Sequence, residues 1–133
     1  MVSDIIISIV SEADIVAARQ KGRALGAQLG FSSSDQTVIA TAISEVARNI
    51  VIYARQGEII LKTVLQNNRN GIEIIARDRG PGIPDIARAL QDGYSTSKSL
   101  GLGLPGAKRM MDEFDIVSKV GKGTTITMKK WVK

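Results

Sequence analysis

The sequence predicts an α+β fold: a two-layer sandwich with helices packed on one face of a mixed, mostly antiparallel sheet. Two segments carry apolar residues at helical spacing, and two pairs of short apolar runs meet at Asn/Gly turns. At 133 residues the chain is the size of one ordinary domain, 1–133, with enough apolar content for a single core.

Residues 4–10, Asp-Ile-Ile-Ile-Ser-Ile-Val, are short and β-branched, which predicts a strand. Ser11 suits a helix N-cap, and Ile15, Ala18, Leu25 and Leu29 carry a helix as far as Gly30. A second helix starts at Ser32, Ser33 or Ser34, and its stripe Ile39, Ile43, Val46, Ile50, Tyr53 alternates spacings of four and three along one face. Residues 58–65 and 71–76 predict strands joined by a turn at Asn67-Asn68-Arg69-Asn70-Gly71, since Asn and Gly tolerate positive φ. After the loop Asp78 to Pro84 comes a short helix over 85–90. The Gly/Ser/Thr-rich stretch 93–103 has the composition of a mobile lid, and Pro105 fits the first turn of a helix running to about Glu113. Strands at 116–120 and 124–131, separated by Gly121-Lys122-Gly123, close the chain as a second hairpin.

The chain contains no cysteine and no histidine. That removes thiol nucleophiles, the common zinc sites and histidine bases, so a catalytic base must be a carboxylate, a lysine or a tyrosine. No apolar run reaches the roughly 18 to 20 residues a bilayer span needs, and the N-terminus lacks the layout of a signal peptide, so a cytoplasmic protein without a membrane partner is expected. The net charge is +5, but Lys and Arg are scattered and aromatics make up only 4% of the chain, so no nucleic-acid partner is expected either.

Gly101-Leu102-Gly103-Leu104-Pro105-Gly106 spells G-x-G-x-x-G, yet no apolar strand leads into it and no acidic residue follows at the distance a dinucleotide fold needs. What the segment offers is backbone. Gly101 and Gly103 permit close approach, and the helix start beyond them presents N–H groups and a positive dipole end suited to phosphate.

Asp78 follows an apolar strand and opens the loop Asp78-Arg79-Gly80-Pro81-Gly82-Ile83. A carboxylate there accepts from the exocyclic amino group of adenine and repels the oxygen of guanine, while Gly80 and Gly82 let the chain run beside the base. On the second helix Asn49 lies about 80° and Glu45 about 120° from the centre of the apolar stripe, on one side. The Asn49 carbonyl oxygen suits Mg²⁺ as its single protein ligand, the phosphates and water supplying the rest. Glu45 is then placed to take a proton from an attacking hydroxyl. Each motif alone also fits a turn, a flexible loop or a solvated helix face.

Taken together and in this order, the motifs resemble those of the GHKL superfamily of ATPases and kinases, which has the Bergerat ATP-binding fold. Glu45-Val46-Ala47-Arg48-Asn49 is similar to its N box, Asp78-Arg79-Gly80-Pro81-Gly82-Ile83 to its G1 box, and Gly101-Leu102-Gly103-Leu104 to its G2 box. Gly123-Thr124-Thr125 is similar to its late strand motif. The chain resembles in particular the stand-alone anti-sigma-factor-type serine/threonine kinases that act as stressosome switches. The resemblance implies ATP and Mg²⁺ as cofactors, with Asn49 on the metal, Asp78 reading adenine beside Gly80, Gly82 and Ile83, and Thr124 helping to hold the base directly or through water. Gly101, Leu102, Gly103 and Leu104 would embrace the phosphates, and Glu45 is the implied base. Because the stretch between Gly82 and Gly101 is short for this family, Lys98, Lys108 and Arg109 all stay open as the γ-phosphate contact.

The implied partners are STAS-domain proteins of a stressosome, scaffold and antagonist, phosphorylated on serine or threonine, and then a PP2C-type phosphatase bound by the released kinase. Two other functions stay open: a nucleotide-gated module that binds a sigma factor or another partner with little transfer, and an ATPase that only hydrolyses. The first strand fits either a sheet edge or the seam of a homodimer.

Overall fold

The computed structural model describes residues 4–83, 90 and 103–133. The helix expected over 85–90 and most of the 93–103 stretch lie outside these residues, as do Lys98, Gly101 and Leu102.

Strand β1, Ile5–Ile9, leads into helix α1, Glu12–Leu29. Asp14 fixes the entry to α1 by accepting from the backbone N–H groups of Val10 and Ser11, at 2.9 and 3.1 Å. Gly30 ends the helix in a left-handed conformation, φ 95°. Helix α2, Ser33–Asn49, starts at Ser32, whose hydroxyl accepts from Asp35 N at 3.1 Å.

The apolar stripe of α2 reaches the core through Ile39, Ile43, Val46 and Ile50, all 1% exposed or less. It does not continue to Tyr53, which is 50% exposed. Ile50–Ala54 forms a π-helical turn closed by Arg55 N donating to Ile50 O at 2.7 Å. The wider turn rotates the residues after Ile50 off the stripe, which a fixed helical period does not anticipate. By length and composition Ser33–Ala54 would reach across a membrane, but half of its apolar window is buried inside the fold.

Strands β2, Gly57–Gln66, and β3, Arg69–Asp78, form a hairpin around Asn67 and Asn68, with φ of 54° and 62°. Two residues with positive φ suit the twist of a two-residue hairpin, so the turn is tighter than the five-residue turn expected. Gly71 belongs to β3, under the ring of Trp131. Helix α3, Gly103–Met110, is followed by β4, Glu113–Lys119, and β5, Gly123–Trp131.

The strands lie in the order β1-β2-β3-β5-β4 and all four pairings are antiparallel. This sharpens the mixed, mostly antiparallel sheet expected from sequence. On one face Ile9, Ile59, Leu61, Ile72, Ile74, Ile126 and Met128 meet the helices, each 2% exposed or less. Burying one such side chain stabilises the fold by about 1.5–3 kcal/mol. Strand β1 lies at the sheet edge, bonded to β2, with Ile6 62% exposed on the outer face.

Candidate functional site

The ends of one helix and four strands converge on one side of the molecule. Helix α2 ends at Asn49, the π-helical turn carries the chain to Gly57, and Gly57 pairs with Asp78 at the end of β3. Asp78 in turn pairs with Thr124 at the start of β5. The fourth strand end is that of β4, where Ser118 pairs with Thr124 from the other side.

Glu45 lies one turn before Asn49 and is 4% exposed. Its Oε1 accepts from Arg48 Nη1 at 3.0 Å and its Oε2 from Gly103 N at 2.5 Å. The sequence placed Glu45 on a polar edge beside the core. The structure buries it under α3, and the Gly103 N–H is the donor that compensates its desolvation. Gly103 is the first residue of α3, so a carboxylate sits where the helix start favours an anion. At the terminus expected to receive phosphate oxygens, the Gly103 N–H is taken by a carboxylate of the chain itself. Asn49 is half-buried, and its carboxamide takes no hydrogen-bond partner among the described residues.

Asp78 is half-buried, and its Oδ1 accepts from Gly80 N at 2.9 Å, which bends the loop back on itself. The other carboxylate oxygen remains for a ligand. A Cβ on Gly82 would stand 2.3 Å from Lys119 O, and φ is +80° there. At Gly123, with φ +112°, a Cβ would stand 2.1 Å from Asp78 O. Both positions require glycine because protein backbone lies against them, a reason different from the close approach to a base expected for Gly82. The loop is further held by Gly121 N donating to Pro81 O at 2.8 Å.

Thr124 is 5% exposed, and its Oγ1 lies 2.7 Å from Ser118 Oγ. Ser118 Oγ also accepts from Ile83 N at 2.7 Å. Leu104 is 7% exposed and its side chain belongs to the hydrophobic core, which leaves its backbone as the part that can face a phosphate. Lys108 and Arg109 are exposed in the last turn of α3, away from its Gly103 end.

Arg48, Gly57 and Ser118 were missed by sequence reasoning. The i, i+3 spacing of Glu45 and Arg48 was a readable signal for the first. Gly57 and Ser118 acquire their roles only through strand pairing. A groove of about 800 Å³ runs from Gly57 and Asp78 toward the outer face of the sheet, where Ile6, Val10, Glu58 and Arg77 line it.

Among the described residues no three of Asp, Glu, His and Cys gather to cage a metal. A single carboxamide oxygen at the end of α2, with no carboxylate cage around it among the described residues, fits Mg²⁺ better than zinc or calcium.

The family model described as "Histidine kinase-like ATPase domain" matches residues 10–130. The serine/threonine-protein kinase RsbT of Bacillus subtilis (strain 168) is 53% identical over 127 residues, covering 96% of each chain. The anti-sigma F factor of Thermoanaerobacter sp. (strain X514) is 34% identical, over 86% of this chain and 83% of its own length. Among solved structures, one containing the RsbU and RsbW domains of a Mycobacterium tuberculosis protein superposes with a TM-score of 0.67 at 20% identity, over 97% of this chain and 32% of that one. The mycobacterial sensor histidine kinase MprB superposes with a TM-score of 0.55 at 15% identity, covering 98% and 97%. These two likenesses concern the fold.

Proposed function

The chain belongs to the histidine kinase-like ATPase domain family, and from that premise we propose that it is a Mg-ATP-dependent protein kinase acting on STAS-domain proteins in a partner-switching stress pathway. ATP binding follows from the family, and the chain is a protein serine/threonine kinase. The observation that carries the activity is the 53% identity with RsbT, which covers 96% of both chains. The anti-sigma F factors, at 34% or less over a smaller share, fit the reading of a sequestering module less well.

The residues divide the work. Asp78 accepts from the adenine amino group, Thr124 reaches the base edge, and the loop through Gly80, Gly82 and Ile83 lies alongside. Asn49 holds Mg²⁺, which when bound neutralises phosphate charge and orients the nucleotide. The α3 start at Gly103 and Leu104 provides backbone N–H groups to the phosphates, with Gly101, Leu102 and Lys98 preceding it. Glu45 accepts the proton of the attacking serine or threonine hydroxyl. Each of its oxygens carries one donor now and a carboxylate has about four lone-pair sites, so it has the capacity to accept another. With 2% of its side chain exposed, it first needs the Gly103 end of α3 to move aside.

Partners of this kind are STAS-domain scaffold and antagonist proteins, followed by a PP2C-type phosphatase, in the cytoplasm. Strand β1 lies at the sheet edge, which fits either a free edge or the seam of a homodimer. A crystal grown with Mg²⁺ and a non-hydrolysable ATP analogue tests the site directly. Adenine against Asp78 and metal on Asn49 are expected, and a nucleotide bound elsewhere overturns the assignment.

A further inference from the structure

Ser118 has no part in the reading given above, yet its hydroxyl touches three groups at the end of the sheet where Asp78 lies. Ile83 N stands at 2.7 Å, Thr124 Oγ1 at 2.7 Å and Gly123 O at 3.2 Å. A hydroxyl owns one proton and two lone pairs. The Ile83 N–H takes one lone pair, and the proton must choose between the Gly123 carbonyl, which only accepts, and Thr124.

The choice decides what Thr124 shows to a ligand. If Ser118 donates to Gly123 O, Thr124 must donate to Ser118 and then faces the site with lone pairs alone. If Ser118 donates to Thr124 Oγ1, the Thr124 proton is released to point outward as a donor. The second arrangement uses the shorter contact, 2.7 against 3.2 Å. Thr124 is 5% exposed, so bulk water has little access to reset the pair. Adenine carries an acceptor nitrogen, N1, beside its amino group, whereas guanine carries N–H at that atom. A donating Thr124 therefore matches adenine and opposes guanine, complementing Asp78 beside it.

We propose that Ser118 is a positioning residue for base selection: its hydroxyl donates to Thr124, turns the Thr124 proton toward N1 of adenine, and at the same time holds the Asp78-to-Ile83 loop through the Ile83 N–H. This rests on the adenine site proposed above, and the bridge to N1 is direct or through one water.

The test is a calorimetric titration with ATP and with 1-deaza-ATP, in which N1 is replaced by C–H. Wild type should bind ATP about fivefold more tightly than the deaza analogue, the equivalent of one neutral hydrogen bond. Ser118→Ala should lose about fivefold on ATP and nothing on the analogue, so the preference disappears. Ser118→Thr and Ser118→Val, which differ by a hydroxyl against a methyl, give the same comparison at constant size should alanine loosen the sheet. Thr keeps the preference and Val loses it. Combining Ser118→Ala with Thr124→Val should add little to Thr124→Val alone. Equal weakening of both nucleotides means that Ser118 only packs, and the inference is overturned. A wild type that binds ATP and keeps its preference after Ser118→Ala overturns this inference and spares the adenine site. A wild type that binds neither nucleotide overturns both.

Discussion

Gly103 N donates to Glu45 Oε2 at 2.5 Å, so the proposed base on α2 and the first residue of α3 are joined across 58 residues of sequence. The same carboxylate is gripped by Arg48 from its own helix. One side chain thus serves as a clasp between two helices and as the proposed proton acceptor, and substitutions can separate the two roles.

Glu45→Gln keeps an acceptor oxygen for Gly103 N–H and removes the charge and the basicity. Phosphoryl transfer should fall by about 100- to 10,000-fold, the range for loss of a general base, with ATP binding retained. Single-turnover transfer beside a binding titration checks this. Transfer at the wild-type rate would show that Glu45 is a clasp and no more.

Asn49→Ala removes the proposed metal ligand without touching the adenine end. Affinity for ATP in the presence of Mg²⁺ should drop by about tenfold, while affinity in EDTA should stay as in wild type. Equal loss under both conditions would place Asn49 on the nucleotide or in the packing.

Asp78→Asn exchanges a pure acceptor for a group that also donates. ATP affinity should fall by about 10- to 100-fold, the value of a hydrogen bond to a charged group, and selection against GTP should relax. Competition binding with both nucleotides reads the two effects together.

Gly123→Ala would drive a Cβ to 2.1 Å from Asp78 O at a φ of +112°. The cost is about 3 kcal/mol, from backbone strain plus overpacking, and a fall in melting temperature of roughly 10 °C. Gly121→Ala is the control. It has φ +81° and nothing within 4 Å of the added atom, so only the conformational cost of about 1 kcal/mol applies. Thermal unfolding of the two variants separates close approach from strain.

The repeating parts of the structure were legible because local chemistry decides them. Ser11 and Gly30 bracket α1 as expected, and Ile39, Ile43, Val46 and Ile50 mark the buried face of α2. Tyr53 was misplaced because the π-helical turn at Ile50–Ala54 breaks the period without any proline or glycine to announce it. Asp78 was readable as a polar residue between an apolar strand and a glycine loop, Asn49 as one beside the apolar stripe of α2, and Thr124 through the family resemblance alone. Ser118 was not, since its contacts with Ile83 and Thr124 exist only once β4 and β5 are in register. The burial of Glu45 was also hidden, because helix α3, which covers it, begins 58 residues later in the chain.

The central claim is transfer of phosphate to a protein hydroxyl, and the direct measurement is incubation of the purified chain with radiolabelled Mg-ATP and a STAS-domain protein, followed by phosphoamino acid analysis. The account predicts phosphoserine or phosphothreonine on the STAS protein, dependent on Mg²⁺ and suppressed by Glu45→Gln. ATP bound or hydrolysed with no phosphate on the partner would contradict it.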